Sequence, residues 1–335
     1  MSDGTKIEWT DATWNPITGC SVTSPGCKHC YAMKLAGTRL KHHPSRAGLT
    51  IDTNNGPVWN GDVRFNEQWF DQPMRWRRPR MVFVCAHGDL FHESVPNTWI
   101  DLVFSAMALS PQHIFQVLTK RASRMRDYID SRSFSKYPLP NVWLGVSVEN
   151  QEAADERIPL LLDTPAAVRW ISAEPLLGPV DLNRILVNRE RGLHGSALHE
   201  HHDDCYYSSE CQLDWVVVGG ESGEHARPMH PDWARSLRNQ CEAAGVPFFF
   251  KQWGEWTEED PGETAHKDCA GVMPSGGAVL CSEGYQPPWD TMERLNESGG
   301  VRLDGRTLMF HVGKKRAGRL LDGVQHDGYP KGGAA

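Results

Sequence analysis

Val142-Trp143-Leu144-Gly145-Val146, then helical apolar spacing from Gln151 to Leu162, then Val168-Arg169-Trp170-Ile171, reads as strand, helix, strand. The flanking runs are apolar without alternating, which suits strands buried on both faces. A helix between two such strands carries the chain back to the same end of the sheet, so the strands run parallel. The unit repeats in both directions. Val82-Phe83-Val84-Cys85 and Phe115-Gln116-Val117-Leu118 precede it, and Trp215-Val216-Val217-Val218 and Val246-Pro247-Phe248-Phe249-Phe250 follow. Successive starts lie 33, 27, 26, 47 and 31 residues apart. Helical spacing recurs over Thr98 to Leu109 and Asp232 to Ala244, the latter opened by Pro231 and stopped by Gly245. A first strand near Trp14 to Thr18 brings the total to about seven βα units. The expected fold class is α/β, a partial (β/α) barrel of about six to seven parallel strands with a C-terminal extension. A doubly wound sheet is the alternative.

The barrel is expected over residues 1–256, with an insertion at about 183–212 where the spacing between strands is longest. That insertion holds His194, His199, His201, His202, Cys205 and Cys211. Zinc is one reading of it, and a solvated His-rich loop is the commoner one. Residues 257–335 lose the periodicity and read as an extension wrapping the barrel.

Composition fits a loop-rich enzyme: 335 residues, 39% hydrophobic, with 31 Gly, 22 Pro and 13 Trp. A net charge of −7 argues against a protein that coats nucleic acid by charge alone. Local basic groups remain at Arg75-Trp76-Arg77-Arg78-Pro79-Arg80, at Lys120 to Arg126 and at Lys314 to Arg319. No apolar run has membrane-spanning length and the N-terminus has no signal-like segment, so a cytoplasmic protein without membrane association is expected. Nine cysteines, an odd number in a long chain, are no disulfide scaffold.

Three of them cluster. Gly19-Cys20-Ser21-Val22-Thr23-Ser24-Pro25-Gly26-Cys27-Lys28-His29-Cys30 places three thiols on a loop after the first strand, at the end of a barrel where active sites are built. Three thiolates can hold three irons of a [4Fe–4S] cluster. Alternatively they hold zinc, with His29 or a distant histidine as fourth ligand. Unligated thiols are the plain alternative.

Ahead of that loop stands Lys6-Ile7-Glu8-Trp9-Thr10-Asp11-Ala12-Thr13-Trp14-Asn15-Pro16, and the loop ends Cys27-Lys28-His29-Cys30-Tyr31. With these motifs the chain resembles the phage-associated three-Cys-motif family, a domain of unknown function related to radical S-adenosylmethionine (SAM) enzymes and distantly similar to spore photoproduct lyase. The resemblance continues through Asp89-Leu90-Phe91-His92, Leu118-Thr119-Lys120-Arg121, Gly145-Val146-Ser147-Val148-Glu149-Asn150, Ser172-Ala173-Glu174-Pro175, Gly219-Gly220-Glu221-Ser222 and Lys251-Gln252-Trp253-Gly254. One departure stands out. Radical SAM enzymes typically space their cysteines C-x3-C-x2-C, and here the spacing is C-x6-C-x2-C.

The resemblance implies a radical SAM enzyme with a [4Fe–4S] cluster on Cys20, Cys27 and Cys30, acting on a nucleic-acid base or DNA lesion. Asp89 would accept the SAM amine, and Lys120 or Arg121 would pair with its carboxylate. Ser147, Glu149 and Asn150 would meet ribose or carboxylate, with Glu174 and Glu221 as further cofactor candidates. Lys251 and Trp253 would line the substrate site, and Cys85, closing the second strand, would donate hydrogen to a substrate radical. A buried structural thiol is the commoner fate of a strand cysteine. Implied partners are a nucleic acid or nucleotide, a three-Cys-motif partner protein, and a reductant such as flavodoxin or ferredoxin. A zinc- or cluster-bearing nucleic-acid-binding module without catalysis is the competing reading.

Overall fold

A computed structural model describes residues 4–188, 193–198, 212–258 and 307–331, with short strands at 280–281, 284–285 and 300–303. Seven strands make the central sheet: β1 (Ala12–Trp14), β2 (Met81–Val84), β3 (Ile114–Thr119), β4 (Val142–Ser147), β5 (Val168–Ala173), β6 (Trp215–Gly219) and β7 (Phe248–Gln252). They lie side by side in chain order, and every neighbouring pair is parallel. A doubly wound sheet needs a point where strand order reverses. None occurs, so the sheet is a curled, partial (β/α) barrel.

The helices are α1 (Tyr31–Gly37), α2 (Asn97–Ala108), α3 (Ala122–Asp130), α4 (Gln151–Leu162) and α5 (Pro231–Ala244). Alternation along the strands divides the core in two. Val82, Val84, Phe115, Val117, Val142, Leu144, Val146, Ile171, Val216, Val218 and Phe250 face the helices in one cluster. Met81, Trp143, Trp170, Trp215, Val217 and Phe249 face the concave side in another, joined by Trp9 from the N-terminal segment.

That concave cluster holds four of the 13 tryptophans. Trp9 meets Trp170 at 5.2 Å and Trp215 at 6.1 Å between ring centroids, both edge-on. Gly145 admits this packing, because a Cβ there would lie 2.5 Å from the Trp170 ring. The bulky rings fill the concave side at its middle level. Ser147, Ser172 and Gly219 are small and stand at the C-terminal strand ends, where a cleft remains open.

The first strand stops sooner than expected. Pro16 offers no N–H to continue the ladder, and Ile17–Thr18 turn away to pair antiparallel with Arg64–Phe65. Within the expected insertion, strands Ile185–Asn188 and Leu193–Gly195 form an antiparallel pair where other units have a helix. Of its histidines and cysteines, His194 is exposed, and the rest lie outside the described residues. Beyond β7, Trp256–Thr257 pairs with Thr307–His311. The chain then returns along the free edge of β7, where Phe250 N–H donates to His326 and Gly328 N–H to Phe248. This covers one exposed sheet edge. Among the described residues no helix is long and apolar enough to cross a membrane.

Candidate functional site

A cleft of about 230 Å³ opens at the C-terminal strand ends, and all three cysteines of the loop after β1 line it. The loop is held there by residues from other strands. Cys27 closes a single 3₁₀ turn begun at Pro25, and Cys30 N–H bonds back to Cys27 O at 3.2 Å before α1 starts. The two-residue gap therefore folds as one turn that brings both thiols to the cleft. Gly26 lies against Glu149, so closely that a Cβ would fall 2.5 Å from its carboxyl group. Ser24 Oγ donates to the same carboxylate. Arg227 donates to Pro25 O at 3.1 Å, and Arg121 to Ser21 Oγ at 2.7 Å.

Two of the sulfurs face polar groups. Arg121 Nη1 is 3.7 Å from Cys20 Sγ, and the hydroxyls of Thr23 and Ser24 are each 3.7 Å from Cys27 Sγ, the Ser24 proton being given to Glu149. Trp59, from the Gly56–Trp59 strand packed beside α1, shares an apolar cluster with Cys30. Electrostatics separate the three thiols. Burial, then Asp89, pushes Cys20 up to about 12, with Arg121 opposing. Burial also raises Cys30. Burial acts upward on Cys27 too, but Lys120 and the donors at Thr23 and Ser24 outweigh it, and this thiol sits below its ordinary value. The negative forms of the three repel one another, and a cationic group bound among them would relieve that repulsion.

Most of the anticipated polar residues reach the cleft, but several are already committed to protein partners. Asp89 accepts from Phe91 N–H, Thr119 Oγ1 and Arg121. Arg121 spends its donors on Asp89, Glu93, Ser21 and Cys20. Glu221 accepts three bonds from Arg227. Glu174 is held by Lys251 at 2.7 and 2.8 Å and by Gln252 at 3.1 Å, so Glu174 and Lys251 line the cleft as a pair. Lys120 lines it while pairing with Glu149.

Three candidates point elsewhere. Glu149 is buried beneath the loop, bonded to Lys120, Arg157 and Ser24. Asn150 is spent on capping α4, its Oδ1 accepting from Ala153 N–H at 3.0 Å. Trp253 is buried against Phe250, its indole donating to Leu320 O at 2.8 Å. The first basic group also lies away, just before β2 at the opposite strand end: Trp76 is buried, with Arg80 over its ring at 4.9 Å. Cys85 does line the cleft. It is buried, holds φ at +56°, and its thiol is pushed up to about 12 by burial.

Ser147 and Ser172 are among the cleft's polar side chains without a protein partner. They are register partners on β4 and β5, both line the cleft, and neither hydroxyl has a hydrogen bond among the described residues. Ser172 has a visible signal only in hindsight, since it repeats Ser147's place at the end of the neighbouring strand. His29, a candidate fourth zinc ligand by sequence, is on the cleft wall, as is Trp59, which carries no distinguishing spacing. Ile7, Trp9, Phe83 and Leu118 supply an apolar surface. Among the described residues no three His, Cys, Asp or Glu side chains converge as a ligand set for one metal ion.

The model of a family described as protein of unknown function (DUF5131) matches residues 4–330, and the chain belongs to that family. No curated protein and no solved structure matches it.

Proposed function

We propose that the chain is a radical SAM enzyme: Cys20, Cys27 and Cys30 hold a [4Fe–4S] cluster, SAM occupies the adjoining cleft, and the substrate is a nucleic-acid base or DNA lesion. The reading is carried by three thiols on one cleft wall. Soft thiolate donors suit iron–sulfur ligation, and thiolates on a cube sit on separate irons.

When bound, cluster and SAM supply a one-electron cleavage that yields a hydrogen-abstracting radical. The chain's own residues do the rest. Ile7, Trp9, Phe83 and Leu118 keep water from the cleft floor. Ser147 and Ser172 bind hydroxyl or carboxylate groups of the ligand. Glu174 and Lys251 present an acceptor beside a donor, a match for the edge of a base. Cys85, kept protonated by burial, holds a hydrogen at the cleft wall for a substrate radical.

The test is anaerobic reconstitution with iron and sulfide, followed by SAM-cleavage assays with DNA, RNA and nucleotides, using a flavodoxin- or ferredoxin-class reductant. Brown protein that loses its iron on Cys20→Ala, Cys27→Ala or Cys30→Ala and cleaves SAM is expected. Cys241, on the buried face of α5, should be replaceable without loss of iron. Colourless, zinc-loaded protein with no SAM cleavage would overturn the proposal in favour of a binding module.

A further inference from the structure

The donors at two of the three sulfurs come from unrelated parts of the chain and differ in kind. Cys20 faces a guanidinium whose side chain is only 5% exposed and is anchored on Asp89 and Glu93. Cys27 faces the neutral hydroxyl of Thr23 from its own loop, the Ser24 proton being spent on Glu149. A thiolate can only accept, so at each of these sulfurs the partner donates. Fixed donors of this sort stabilise whichever redox state puts more negative charge on sulfur, and a buried cation does so most strongly.

We propose that this graded donor pair fixes the reduction potential of the cluster, with Arg121 as its dominant positioning residue and Thr23 as the lesser one. The inference rests on the cluster assignment above. Uptake of one electron from a low-potential donor adds a negative charge that spreads onto the ligating sulfurs. Hydrogen bonds to those sulfurs therefore raise the potential. Arg121 adds its positive charge to this effect at Cys20.

The experiment compares wild-type protein with Thr23→Val and Arg121→Gln after anaerobic reconstitution. Valine deletes only a hydroxyl, and glutamine keeps a donor but loses the charge. Iron per chain is measured first, then the midpoint potential by dithionite titration followed in the visible and by electron paramagnetic resonance. Both should take up iron as the wild type does and reduce at more negative potential. Arg121→Gln should shift the reduction equilibrium more, by about tenfold, or about 59 mV for one electron. Variants that carry full iron but reduce at the wild-type potential overturn the inference while leaving cysteine ligation intact. Wild-type protein that binds no iron overturns the cluster assignment instead. If Arg121→Gln does not fold, Thr23→Val decides the matter by itself.

Discussion

Replacing Glu149 by Gln should be among the most damaging single-atom changes available in this protein. Its carboxylate is buried and meets Arg157 at 2.8 Å, with side-chain exposures of 2% and 4%, and it also binds Lys120 and Ser24. At 2.8 Å and an effective dielectric constant of about 20, the Arg157 attraction alone is about 6 kcal/mol gross. Desolvation offsets part of that. Removing one partner still leaves a buried guanidinium uncompensated, at a net cost of about 3–5 kcal/mol. Urea denaturation followed by tryptophan fluorescence measures the loss at pH 7, and adding Arg157→Met to the Glu149→Gln variant should restore part of it. The pH dependence has a fixed sign. Burial raises the Glu149 carboxyl, but Lys120 and Arg157 outweigh it, so its folded-state pKa lies below the ordinary value of 4.5. A depressed carboxylate stabilises the fold fully above the unfolded pKa, and loses that contribution as pH falls through the folded pKa. The gap between wild type and Glu149→Gln should therefore be full at pH 6–7, begin to close below about pH 4.5, and shrink further in stronger acid. A difference under about 1 kcal/mol at pH 7, or a gap that widens in acid, would refute the reasoning.

Gly145→Ala should cost about 1–3 kcal/mol by the same assay, since the new methyl must displace the buried Trp170 ring; an unchanged midpoint would mean the concave core has slack. Asn150→Ala should cost about 1 kcal/mol through loss of the α4 cap and leave SAM affinity as it was. Titration of SAM into the reconstituted variant checks this, and weakened binding would return Asn150 to the site. Ser147→Ala and Ser172→Ala should leave iron content unchanged and weaken the cleft ligand by about 0.5–1.5 kcal/mol each, roughly three- to tenfold. Calorimetric titration decides between that and two spectator hydroxyls.

Local signals carried much of the outcome. The strand–helix period is a short-range property, and it placed α4 at Gln151–Leu162 and fixed the parallel, sequential sheet. The spacing of Cys20, Cys27 and Cys30 is equally local, because two thiols three positions apart share one turn. A polar residue at a strand end is marked by position alone, and that brought Asp89, Ser147, Glu174, Glu221 and Lys251 to the cleft. Whether such a residue is free for a ligand depends on partners far along the chain. Asp89 is taken by Arg121, 32 positions on, and Glu174 by Lys251, 77 positions on. Only the folded arrangement reveals that these charges are paired and that Ser147 and Ser172 are not. Curvature acts in the same way. Trp253, expected at the substrate site, is buried instead in the helix-side core, while Trp9, Trp143, Trp170 and Trp215 fill the concave interior, where burying large apolar rings is worth more than exposing them. Sequence thus set the periodicity, the cysteine spacing and the chemical types at the strand ends, while tertiary structure, through pairing energies between residues distant in the chain, decided which of those groups a ligand can still reach.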